Sequence, residues 1–128
     1  MSFRFAVFAS SIFRVVPILA AVTAASSAAA HSELRGSVPA AGAVLNCTPA
    51  RIELRFNEGV QLTVLRLHRL DGAEIELPRR SIREARLETI DLPPLDPGEF
   101  RAEWRIISPD GHDVGGTIPF SVFGECRP

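Results

Sequence analysis

The 128-residue sequence has no tyrosine, one tryptophan and one methionine, and all 14 of its basic residues are arginine. It has two cysteines and three histidines. No basic stripe with interleaved aromatics runs through it, so no nucleic-acid partner is expected. No acidic residue occurs in the first 30 positions, whereas all 15 lie in residues 31–128, giving that part a net charge of about −3 with histidines neutral. Beyond the alanine-rich start there is no low-complexity segment and no internal repeat. The length fits one domain rather than two.

The early segment differs from the rest. Arg4 and Arg14 precede an apolar stretch, Val15 to Thr23, and then Ala24-Ala25-Ser26-Ser27-Ala28-Ala29-Ala30. A basic start, a short apolar core and an Ala-x-Ala exit form the pattern of a secretory signal peptide. The core is shorter than the roughly 20 residues of a membrane span, and no later apolar run is long enough to cross a bilayer. Residues 1–30 are therefore expected to be a signal peptide, with an N-terminal membrane anchor as the alternative. Residues 31–128 are expected to form an exported domain that is not membrane-embedded. Cleavage after Ala30 places small residues at both recognition positions and makes His31 the first residue of the mature chain. Cuts at Ala29 or Ala25 stay open.

Cys47 and Cys126 both lie in the exported part. In an oxidising compartment such a pair is expected to form a disulfide. Closing a loop of this length stabilises a fold by about 4–5 kcal/mol on the chain-entropy account. A soft thiol metal site is the alternative.

The exported part reads as strands. Residues 51–56 alternate, with Ile52, Leu54 and Phe56 on one face. Residues 100–106 do the same with Phe100, Ala102, Trp104 and Ile106, and Ile118, Phe120 and Val122 form a third face. Strict period-two alternation is the mark of half-buried antiparallel strands. Residues 61–69, 86–92 and 34–38 are weaker candidates. Asp71-Gly72, Pro93-Pro94 and Asp96-Pro97-Gly98 punctuate them as turns, and Gly115-Gly116 precedes the last strand. Pro78 to Glu88, dense in Arg and Glu, reads as a solvated loop or edge. About seven short strands in a domain of this size give an all-β, immunoglobulin-like sandwich, with a small closed barrel as runner-up.

Chemistry concentrates in Ser108-Pro109-Asp110-Gly111-His112-Asp113, a polar stretch between two apolar strands. On an extended backbone Asp110 and His112 project to one side, where a carboxylate and an imidazole can meet one metal ion. A plain Pro-Asp-Gly turn is the competing reading. His31, if it is the mature N-terminus, adds two nitrogens, the α-amine and imidazole Nδ1, that close a chelate ring on the same ion. Three nitrogens and one oxygen in a tetragonal plane favour Cu(II) among first-row ions, whereas Zn(II) prefers a tetrahedron. Such donors must shed protons to bind, so affinity is expected to fall below about pH 6.

On these residues the sequence resembles the CopC-type periplasmic copper-binding proteins. The resemblance is carried by His31, by LNCTPARIELRFNE (Leu45 to Glu58) and by GEFRAEWRIISPDGHDVGGTIPFSV (Gly98 to Val122). It implies a Greek-key β-sandwich that holds one Cu(II) per chain at one end. His31, Asp110 and His112 match the family's ligand positions. Glu58 matches an acid that supports the N-terminal residue; the competing reading of Glu58 is a surface glutamate at a strand end. Asp113 departs from the pattern, standing where a proline often follows the histidine, and could loosen the loop or add an acid near the metal. Some members carry a methionine-rich loop for Cu(I). Here Met1 is the only methionine and leaves with the leader, so no Cu(I) methionine site is expected. His68 is expected to be an ordinary surface histidine.

The resemblance implies a monomeric, non-enzymatic copper carrier or buffer in the periplasm, concerned with copper homeostasis or resistance. Its partner would be an inner-membrane copper transporter or another copper-handling protein on a separate chain. Two other classes were weighed. An N-terminal histidine with a second histidine also resembles copper polysaccharide monooxygenases, but small size, lack of tyrosine and a coordinating carboxylate argue against it. A metal-free interaction module is the other, since sandwiches host many functions.

Overall fold

The computed structural model describes Ser2 and residues 32–124. The expected leader, His31 and Cys126 lie outside the described residues. Among these there are seven strands and no helix: β1 (Leu34–Val38), β2 (Ala43–Leu45), β3 (Arg51–Arg69), β4 (Glu74–Ile75), β5 (Glu84–Asp91), β6 (Gly98–Ile107) and β7 (Asp113–Val122). The architecture is the expected all-β sandwich.

Strand β3 joins the two layers. The two stretches expected as separate strands are one 19-residue strand that continues through Asn57-Glu58-Gly59. Its first half lies between β1 and β5, with Val38 opposite Glu53 and Ile90 opposite Ile52. Its second half pairs with β6 and β4, with Leu67 opposite both Ala102 and Ile75. The β5 register jumps between Arg55 and Val60, and the β6 register jumps between Leu62 and Val64. Extra residues at such irregularities bend a strand and let it pass from one layer to the next. Strand β7 continues the second layer antiparallel to β6, and β2 closes it in parallel with β7.

The three alternating faces meet as one core. Ile52, Leu54, Phe56, Phe100, Ala102, Trp104, Ile106, Ile118, Phe120 and Val122 are all buried. Phe56 meets Trp104 edge to face at 5.7 Å, and Phe100 stacks on Phe120 at 5.4 Å. The glycine pair at 115–116 lies inside β7 rather than ahead of the last strand. Gly116 is opposite Trp104, and a Cβ there would come within 2.9 Å of the indole ring. Glycine is what lets the indole lie flat against the neighbouring strand.

Two further departures have simple causes. Strand β5 starts at Glu84, so the charge-rich stretch is only partly a loop, and Glu88 turns inward opposite the core residue Leu54. Glu88 is 5% exposed, and its Oε1 has no hydrogen-bond partner. A buried, unpartnered carboxyl oxygen costs free energy. Glu88→Leu is therefore expected to raise stability in urea by about 1–2 kcal/mol; a loss of similar size would reveal an interior role for the carboxyl. The second departure is at the end of β7, where the Phe123 N–H donates to Leu45 O at 3.0 Å and a Cβ on Gly124 would collide with the Asn46 carbonyl. This brings the chain after β7 beside Cys47, which is disulfide-bonded.

Candidate metal centre

Ile107 ends β6 opposite Gln61, and Asp113 opens β7, so Ser108–His112 is the hairpin loop between them. The Gly111 N–H donates to Ser108 O at 2.9 Å, and the Ser108 N–H donates to His112 O at 2.9 Å. The Ser108–His112 bond leaves Pro109, Asp110 and Gly111 as a three-residue turn closed by a left-handed residue. The left-handed position is Gly111, at φ +87°, which a Cβ would strain. Proline fixes its own φ at the first central position and Asp110 takes the second. The turn reading and the ligand reading of this sequence thus describe the same residues. Asp110 and His112 do come together, through the turn rather than along an extended strand.

His112 Nδ1 lies 2.7 Å from Asp110 Oδ2. The Ser108 hydroxyl donates to the other carboxylate oxygen, Oδ1, and accepts from the His112 N–H at 3.0 Å. These bonds hold the Asp110 carboxyl down at about 2 from its ordinary 3.8, the Ser108 hydroxyl contributing most and His112 next. An ionised carboxylate only accepts, so the neutral imidazole carries its proton on Nδ1 and leaves the Nε2 lone pair free. Carboxylate-bound imidazoles of this kind are typical metal ligands. The side chains are 72% exposed for His112 and 57% for Asp110, so an ion can reach both.

The sign of the Asp110 shift sets a pH window. The folded-state value lies below the ordinary one, so the ionised loop is favoured at and above about pH 4. That advantage is lost as pH falls from about 4 towards about 2. A carboxyl carbon titration by NMR is expected to give Asp110 a midpoint near 2; a midpoint near 4 would show that the loop bonds do not persist in solution.

The start of the described chain is fastened to the same end of the sandwich. Ser32 is buried and its hydroxyl donates to Glu58 Oε1. The Glu33 N–H donates to Asn57 Oδ1 at 2.9 Å, and the Asn57 N–H donates back to Glu33 O at 3.1 Å. Glu58 is therefore not a bare strand-end glutamate: it holds the residue that directly follows His31. The bend and the loop are neighbours, since Gly59, Gln61, Ser108, Pro109 and Gly111 line one cavity of about 240 Å³ together with Glu84.

The remaining residues sort cleanly. Asp113 is not a free acid beside the loop; it pairs with Arg105 through two contacts of 3.3 Å. His68 sits near the C-terminal end of β3, opposite Arg101 of β6, with Nε2 3.7 Å from Glu103, and is not brought to the loop. Among the described residues no three His, Cys, Asp or Glu side chains gather as a metal cluster. Sequence reasoning named Ser108 as the first residue of the polar stretch but gave it no role, and gave none to Ser32 or Asn57. The only trace of Ser108 was its place two residues ahead of Asp110, and a serine is too common in turns to stand out.

The sequence profile of the CopC domain matches residues 34–123. Copper resistance protein C of Xanthomonas campestris pv. juglandis is 32% identical over 122 residues, covering 88% of this chain and 95% of that protein. Copper transport protein CutJ of Bacillus subtilis is 32% identical over 98 residues, covering 73% of this chain but only 18% of its own length. The crystal structure of CopC from Methylosinus trichosporium OB3b superposes with a TM-score of 0.63 at 26% identity, covering 77% of this chain and 99% of that one. The chain therefore belongs to the CopC domain family, and its role lies in the handling of copper.

Proposed function

We propose that this protein is a periplasmic Cu(II) carrier or buffer that binds one ion per mature chain. The observation that carries the reading is the pairing of Asp110 with His112 on an exposed loop, with Nε2 free, at the end of the sandwich where Glu58 fastens Ser32. His112 Nε2 and an Asp110 oxygen supply two donors. His31, exposed by removal of residues 1–30, supplies its α-amine and imidazole and completes a tetragonal set suited to Cu(II). On one ion the two roles of Asp110 exclude each other: bonded to Nδ1 it orients His112, and to ligate beside Nε2 it must release that bond. Cu(I) is a poor match, because it favours thioether or thiolate sulfur, the sequence holds one methionine, and Cys47 is disulfide-bonded.

No catalytic step is assigned to the site. The protein hands its ion to a separate copper-handling chain, such as an inner-membrane transporter, and acts as a monomer. The test is a titration of the mature protein with Cu(II) in competition with a chelator of known affinity. Saturation at one ion per chain supports the reading; copper that stays entirely with a weak chelator removes it.

A further inference from the structure

Three polar side chains are buried among the described residues: Ser32, Glu88 and Ser108. Ser108 is not among the candidate ligands. Its hydroxyl nevertheless closes a ring of bonds. It donates to Asp110 Oδ1, Asp110 Oδ2 meets His112 Nδ1 at 2.7 Å, and the His112 N–H returns to the hydroxyl at 3.0 Å. A hydroxyl has one proton to give. Two acceptors face that proton, Asp110 Oδ1 and, at 3.2 Å, His112 O; the carboxylate is the nearer and the charged one, and it takes the proton.

The two groups it joins have little else to hold them. His112 and Asp110 are exposed, so packing does not select their rotamers. Ser108, by contrast, is 5% exposed, and its backbone is fixed by the bonds to Gly111 and His112 that close the hairpin. The rigid member of the ring is the serine.

We propose that Ser108 is the positioning residue of the copper loop: its buried hydroxyl sets the rotamer of Asp110, and Asp110 sets the tautomer and heading of the His112 ring. The copper half of this proposal rests on the function proposed above; the tautomer half does not. A loop arranged before the ion arrives binds it without first ordering two mobile side chains, and loss of such outer partners typically weakens metal binding by about 10–100-fold.

The experiment uses the mature wild-type protein with Ser108→Ala and Ser108→Thr. In the metal-free state, imidazole ¹⁵N shifts report the tautomer of His112. The wild type is expected to hold the proton on Nδ1, and Ser108→Ala to shift towards a mixture rich in Nε2–H, with amide signals beyond the loop unchanged. Against a competing chelator, Ser108→Ala is expected to lose about 10–100-fold in Cu(II) affinity, and Ser108→Thr, which keeps the hydroxyl, to restore both readouts. An Nε2–H tautomer in the wild type overturns the proposal without recourse to any variant. So does a Ser108→Ala protein with wild-type tautomer and affinity, or a threonine variant as impaired as the alanine one. Failure of the wild type to bind Cu(II) would remove the proposed function, and the metal-free tautomers would still decide the role of Ser108.

Discussion

A mature protein carrying one extra residue ahead of His31 is expected to bind Cu(II) about a hundredfold or more weakly than one that begins at His31. The extra peptide bond converts the α-amine into an amide, whose nitrogen lone pair is delocalised into the carbonyl and can bind only after the N–H proton is lost. The loss exceeds that of one independent donor, because a second donor on the same residue binds at high effective concentration, an advantage worth about 10²–10⁴. The chain cannot recover it by sliding one residue along. Ser32 is fixed to Glu58, and the Glu33 backbone makes two hydrogen bonds with Asn57, one to its side chain and one from its N–H. Those contacts would be lost on a shift of register. The metal-free extended protein should be as stable as the mature one, since the core begins beyond this segment. Chelator competition on the two forms gives the comparison; equal affinities would take the terminal amine out of the site.

His112→Ala is expected to abolish Cu(II) binding at low micromolar copper while leaving the fold intact. It removes the free Nε2 and with it one in-plane donor. The side chain is 72% exposed, and exposed substitutions away from special features usually change stability by no more than about 0.5 kcal/mol. The loop itself stays closed, because its hairpin bonds use the backbone of residue 112 and not the ring. His68→Ala serves as the control. It removes a histidine near the C-terminal end of β3, beside the end of β6 far from the loop, and is expected to leave affinity unchanged. Retained binding in His112→Ala, or a matching loss in His68→Ala, would move the copper away from the loop. Titration with thermal unfolding in parallel separates loss of site from loss of fold.

The sandwich was legible wherever a face alternates for long enough. Ile52-Leu54-Phe56 and Phe100-Ala102-Trp104-Ile106 each gave three or more inward residues at period two, and all of them are buried. Strand β2 has three residues and β4 has two, too few for any period to show. The continuity of β3 was hidden for a different reason. Asn57-Glu58-Gly59 has the composition of a turn, and only the partners on either side make it a bend within one strand. The strand at 86–92 was only a weak candidate and the inward turn of Glu88 went unread, because a charged side chain on an inward position breaks the alternation of β5.

The candidate site was legible in its ligands and not in its supports. Asp110 and His112 are chemically conspicuous and close in sequence, so spacing sufficed even though the geometry that joins them is a turn. Glu58 was singled out through resemblance, and its partner is a hydroxyl 26 residues away that local sequence could not reveal. Serines are frequent, and which one has its hydroxyl buried against a carboxylate is settled only by tertiary packing.

The most direct measurement is electron paramagnetic resonance of the secreted protein, its first residue established by mass spectrometry, with one equivalent of Cu(II). An axial, tetragonal spectrum with hyperfine splitting from three nitrogen donors, in protein that begins at His31, is the predicted result. The spectrum of hydrated copper from that same protein would contradict the account.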